Sequence, residues 1–136
     1  MLITRASEYA ILSLILLSKA ESPIGSDTLS RELSIPKSFL AKILQSLAKA
    51  QILNSYKGAN GGFALNKDPK DINMLFVASS VEGKAPAVFE CVSSLEECPS
   101  EKSGSCSIWP FLYKLQSKID TFLAELTLAD LLEDEK

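Results

Sequence analysis

The chain has 136 residues, enough for one globular domain with a helical extension and for a real core built without disulfides. It offers no apolar run of the roughly 18 residues that a bilayer span needs and no basic flank or cleavage site of a signal peptide, so it is expected to stay in the cytoplasm. There, an odd count of three cysteines is better suited to metal or redox chemistry than to a disulfide framework. The net charge of −3 argues at first against a nucleic-acid partner, but the average hides a division: residues 1–67 carry eight basic against four acidic side chains, and residues 68–136 carry six against thirteen. Between Leu33 and Lys67 there are five lysines and no acid, so a DNA-facing surface is expected in that stretch.

In chain order, Thr4 is placed to cap a first helix running to about Lys19, whose apolar residues (Ala6, Ala10, Leu14 and Leu17, broadened by Ile11, Leu12 and Ile15) imply burial on two sides. The segment Ser22-Pro-Ile-Gly25 reads as a turn, Ser26 as the cap of a short helix through Leu33, and Pro36 as the first residue of a third helix to about Ala50. In that third helix Leu40, Ile43, Leu44 and Leu47 recur at core-facing spacing, while Ser38, Ala41, Lys42, Gln45 and Lys49 follow on the opposite side. Two helices joined by a short turn, the second with a small, polar and basic face, are the arrangement by which a recognition helix enters a major groove. Ile52 to Lys57 and Phe63 to Asn66 then read as two strands about a Gly58-Ala-Asn-Gly-Gly62 turn, a β wing. Gly61 and Gly62 let the backbone approach a partner closely, and Lys57 at the base supplies a cation.

Asn73 predicts the cap of a fourth helix from Met74 to Glu82, with Ile72 and Val77 as a hydrophobic staple and Gly83 past its end. Residues 84–105 have little periodicity; this loop holds Cys91 and Cys98, with Cys106 at its edge. A long helix from about Ile108 to Leu126 carries Ile108, Leu112, Leu115, Ile119, Phe122 and Leu126 at spacings of four and three, the period of a helix-pairing seam. Thr127 and Asp130 give a capped turn to Leu131, followed by an acidic end expected to fray. The organisation expected is a DNA-binding head at 1–67, a connecting helix at 68–83, a cysteine loop at 84–106, and a helix with its terminal turn at 107–136.

The cysteines sit among Glu90, Ser93, Ser94, Glu96, Glu97, Pro99 and Ser103, a setting that core packing explains poorly. Thiolates are soft ligands for an iron-sulfur cluster or for zinc, and either normally takes four ligands. The sequence has no histidine to serve as the fourth. The absence of histidine also removes the usual activator of a catalytic cysteine or serine, and no phosphate-binding glycine motif is present, so an enzyme with a small-molecule substrate is not expected.

Taken together, the opening Thr4-Arg-Ala-Ser-Glu-Tyr-Ala10, the segment Ile35-Pro-Lys-Ser-Phe-Leu40, the wing Lys57-Gly-Ala-Asn-Gly-Gly-Phe63, the three-cysteine loop and Thr127-Leu-Ala-Asp-Leu131 resemble the Rrf2 family of transcription regulators, the family of IscR and NsrR. The resemblance runs nearly end to end. It implies a mainly α fold, a winged helix-turn-helix with a small two-stranded wing and a long C-terminal dimerisation helix, bound as a homodimer to a near-palindromic operator in double-stranded DNA. It assigns Ser38, Ala41 and Lys42 to base edges and Lys57 to the wing; Arg5 and Gln45 complete the expected DNA-binding set with Gly61 and Gly62. Ala41 departs from the family, whose members often carry a larger polar residue there, and offers only apolar contact such as with a thymine methyl. The resemblance further implies a 2Fe-2S or 4Fe-4S cluster on Cys91, Cys98 and Cys106, completed by Glu8 from the other subunit, although an acid in the first turn of a helix is also favoured by the macrodipole alone. Zinc at the same cysteines, a thiol-based regulator without metal, and a zinc-binding interaction module are the competing readings.

Overall fold

The computed structural model describes residues 3–87 and 107–134. Helix α1 (Arg5–Ser18) starts where the Thr4 hydroxyl accepts from the Ser7 amide at 3.2 Å, as the sequence predicts. Helix α2 (Ser26–Leu33) departs from expectation, because Ser26 is its first helical residue and Gly25 is the N-cap, without a side-chain cap. The cause is tertiary. Ile24 exchanges two backbone hydrogen bonds with Phe63, 3.0 and 2.8 Å long, which keeps the chain extended through Gly25. Ser22-Pro-Ile-Gly25 is thus a short edge laid against the wing as well as a turn.

Ser34, in the left-handed region, ends α2, and α3 (Lys37–Lys49) follows with Pro36 as its N-cap, so that the helix starts one residue later than expected. Leu40, Ile43, Leu44 and Leu47 are all buried, the fulfilled half of the predicted pattern. Strands β1 (Leu53–Tyr56) and β2 (Gly62–Leu65) pair antiparallel in the register Leu53 with Leu65 through Tyr56 with Gly62; β1 is one residue shorter at each end than predicted, and β2 is shifted one residue toward the turn. A 3-10 turn at Pro69–Asp71, unforeseen from the sequence, is capped by the Asp68 carboxylate accepting from the Lys70 amide at 2.9 Å.

Helix α4 (Met74–Glu82) has the predicted bounds, with the Asn73 side chain accepting from the Phe76 amide at 2.8 Å and Gly83 at its C-cap. Helix α5 (Trp109–Glu125) leads to α6 (Leu128–Asp134), which extends the predicted terminal turn almost to the end of the chain. The reciprocal box forms as expected: the Thr127 amide donates to Asp130 at 2.9 Å and the Asp130 amide to Thr127 at 3.3 Å. Beyond that local pattern, the Met74 amide donates to the Leu126 carbonyl and the Leu128 amide to the Ile72 carbonyl, at 2.9 and 2.8 Å. Asn73 and Thr127, the entry residues of α4 and of α6, are thereby joined in a single antiparallel bridge.

One core runs through α1, α3 and α4 and takes in Ile52, Leu53 and Ile72 together with Leu123 and Leu128 from the C-terminal segment. The α5 stripe divides. Leu112 and Leu123 are buried and Ile119 and Leu126 pack against the core, whereas Ile108, Phe111 and Phe122 are 59 to 63% exposed. The second side of α1 is likewise only partly covered, with Leu12 exposed.

Two substitutions test this packing by urea denaturation. Leu44→Ala, in a fully buried position of α3, is expected to lower the unfolding free energy by about 2–5 kcal/mol. At Gly62, φ is +141° and an added Cβ would lie 2.4 Å from the Ile24 carbonyl carbon, so Gly62→Ala is expected to cost at least about 1–3 kcal/mol through strain and loss of the wing contact. A wild-type midpoint for either variant would contradict the packing described.

Candidate nucleic-acid interface

Because α3 buries its apolar stripe completely, its remaining face must turn outward. Ser38, Lys42, Gln45 and Lys49 are exposed and Ala41 is half-buried, so the five residues singled out in the sequence form one continuous surface. The wing stands beside α2, with Lys57 exposed just past the end of β1. The wing tip is a tight turn in which the Gly61 amide donates to the Gly58 carbonyl at 3.0 Å. A Cβ on Gly61 would fall 2.4 Å from the Tyr56 carbonyl oxygen, so turn closure by itself requires glycine there, as contact with Ile24 does at Gly62. Between the wing and the N-terminal end of α2 lies an open, polar cleft lined by Asp27, Arg31, Tyr56 and the wing turn.

The five lysines of the acid-free stretch are not equivalent. Lys67 lies 5.1 Å over the ring of Phe76 on α4, a cation-π contact that draws it away from the recognition helix. Lys37, in the first turn of α3, is held by Asp27 of α2, with Nζ to carboxylate oxygen at 2.6 Å. The hydrogen bond and charge of Lys37, with a smaller contribution from Arg31, hold the Asp27 carboxyl below its ordinary range. In the sequence Lys37 is only one basic residue in a run. Asp27 lies ten positions earlier, and only the packing of α2 on α3 pairs them.

The first turn of α1 faces three ways. Arg5 and Glu8 point outward and form an exposed ion pair at 3.4 Å. Tyr9 meets Phe39 of α3 edge to face, centroids 5.6 Å apart and planes at 87°, which ties α1 to the first turn of the recognition helix. On the other side, Ser7 is fully buried and donates to the Glu82 carboxylate at 3.3 Å, and Thr4 hydrogen-bonds to the same oxygen. Glu82 is the last residue of α4, where an acid opposes the helix dipole; the N-terminal end of α1 compensates by accepting a negative charge. Neither the Tyr9–Phe39 nor the Glu82 link had a sequence signal, since both join residues far apart in the chain.

Cys91, Cys98 and Cys106 lie outside the described residues. Among the described residues no group of three histidine, cysteine or acidic side chains is gathered to hold a metal, and no helix is long and apolar enough to cross a membrane.

The profile of the Rrf2 family, described as iron-dependent transcriptional regulators, matches residues 3–134. The transcriptional regulator NsrR of Geobacillus kaustophilus is 30% identical over 142 residues, an alignment that covers 98% of this chain and 91% of the relative. Among solved structures, IscR of T. potens is similar with a TM-score of 0.73 at 22% identity, covering 100% of this chain and 89% of that one. CymR, the global cysteine regulator of B. subtilis, is similar with a TM-score of 0.72 at 22% identity, covering 98% and 97%. The winged helix-turn-helix geometry, the outward basic face of α3 and a family match spanning almost the whole sequence converge: the chain belongs to the Rrf2 family of DNA-binding transcriptional regulators.

Proposed function

We propose that this regulator acts as a homodimeric repressor whose operator affinity is governed by an iron-sulfur cluster on Cys91, Cys98 and Cys106, completed by Glu8 of the partner subunit. The observation that carries the DNA side of the reading is the exposed Ser38, Lys42 and Gln45 surface of α3, followed in the chain by a wing with an exposed Lys57. Ser38, Ala41, Lys42 and Gln45 meet base edges; Arg5, Lys57 and the Gly61–Gly62 backbone meet phosphate and sugar. Dimer formation is supported by the uncovered Ile108, Phe111 and Phe122 along one side of α5, a patch of large apolar side chains that a second copy would bury.

The donor set fits a cluster. Three thiolates are soft ligands, the chain contains no histidine, and Glu8 is an exposed carboxylate whose partner is the still more exposed Arg5, a pairing weak enough to exchange. When bound, the cluster supplies a redox-sensitive and nitrosylation-sensitive tie between subunits. The residues around it do the rest. A Glu8 carboxylate engaged as ligand would free Arg5 for phosphate, and α1 would carry the change to the recognition helix through the Tyr9–Phe39 contact. An oxygen ligand is harder than thiolate and would be the more easily displaced. The likeness to CymR, which covers 97% of that chain, favours a second reading: cysteine thiols on the same scaffold that respond without metal.

Anaerobic native mass spectrometry of the wild type beside Glu8→Ala decides between them. The expected result is a cluster mass on each chain of the wild-type dimer and partial or complete loss in the variant. A chain carrying zinc, or three free thiols, would overturn the cluster. Operator affinity is expected to differ at least about fivefold between cluster-bound and cluster-free dimers, the lower range of measured coupling, and equal affinity would remove the sensing role. Lys57→Ala is expected to weaken binding to any sequence and flatten the logarithmic salt slope by about 0.9, the share of one phosphate; an unchanged slope would exclude that contact.

A further inference from the structure

The Asp27–Lys37 pair sits where a DNA backbone would pass. Successive residues of a helix turn by about 100°, so with Ser38 at the middle of the exposed α3 face, Lys37 lies one step toward α2 and Phe39 one step toward α1. The contacts agree: Lys37 reaches Asp27 on α2, and Phe39 meets Tyr9 on α1. In helix-turn-helix docking the second helix enters the groove while the first crosses the backbone, so the seam between α2 and α3 overlies phosphate and not base edges.

The pair has little to do for the fold. Both side chains are mostly exposed, 60 and 68%, and exposed ion pairs contribute little to stability. Lys37 also stands in the first turn of α3, where the helix dipole disfavours a cation, and α3 has no side-chain cap or first-turn acid of its own to offset it. Asp27 belongs to α2 and also lines the cleft between α2 and the wing, so the fold sets an acid into a surface that the sequence from Leu33 to Lys67 keeps free of acids.

Building on the recognition surface proposed above, we infer that Lys37 is a further DNA-backbone contact held in check by Asp27, and that Asp27 lowers sequence-independent affinity. To reach phosphate, Lys37 must give up Asp27, and the released carboxylate is left beside the polyanion. The cost is the same on every sequence. Asp27 therefore lowers operator and non-specific affinity by the same factor and leaves their ratio unchanged. Phosphate contact without Asp27 would be cheap everywhere.

The test is fluorescence anisotropy of a labelled mixed-sequence duplex of about 26 base pairs, titrated from roughly 50 to 200 mM salt with wild type, Asp27→Asn, Lys37→Ala and the double variant. Asp27→Asn is expected to bind about three- to tenfold more tightly, with a logarithmic salt slope steeper by about 0.9, the value for one added phosphate contact. In the Lys37→Ala background the same change is expected to gain less than about twofold, because the cation that it frees is absent. An unchanged salt slope for Asp27→Asn overturns the inference. So does an equal gain in both backgrounds, the signature of simple charge removal, and so does weaker binding, the signature of a clamp that positions α3. Lys42→Ala in the same assay separates the two layers of the argument: if it binds as wild type, the recognition surface itself is wrong, whereas a weakened Lys42→Ala beside a null Asp27→Asn removes only the role of the pair.

Discussion

The rest of the molecule depends on the double duty of α3. Its stripe of Leu40, Ile43, Leu44 and Leu47 is at the centre of the core, wholly or almost wholly removed from water. A helix so anchored cannot rotate without exposing several leucine-sized side chains, each worth about 1.5–3 kcal/mol. Burial therefore fixes which residues face outward, and the recognition surface is the complement of the core rather than a separate construction. The wing is held to the same frame through Ile24, whose two hydrogen bonds with Phe63 tie the approach to α2 directly to β2.

Around α3, the first turn of α1 works as a junction. Its inner side holds Glu82 at the end of α4, from which the cysteine segment continues, and Tyr9 bears on Phe39 at the start of the recognition helix. A change at either end of this chain of contacts has a short physical route to the other, through packed side chains and a rigid helix. Glu8, on the same turn, faces solvent and pairs only with Arg5 among the described ion pairs, an exposed contact at 3.4 Å.

The electrostatics are finer than net charge suggests. The basic stretch stands out in an acidic chain, but its lysines have different neighbours: Lys67 is spent on an aromatic ring, Lys37 is countered by Asp27, and Lys42, Lys49 and Lys57 stand exposed.

The sequence by itself determined the elements whose signals are local. The caps at Thr4 and Asn73, the Thr127–Asp130 box and the glycine after Glu82 all join residues within about one helical turn, and all stand where the spacing placed them. The α3 face was legible for the same reason, because helical periodicity separates buried from exposed positions without knowledge of what covers them. Tertiary structure alone decided the Ile24–Phe63 edge that moved the cap of α2 from Ser26 to Gly25, and the Asn73–Thr127 bridge that docks the C-terminal segment on the core. It also decided that an acid from outside the basic stretch would sit upon it. The residues in each of these contacts are 10 to 54 positions apart, and what brings them together is the packing of whole faces, which no local pattern encodes.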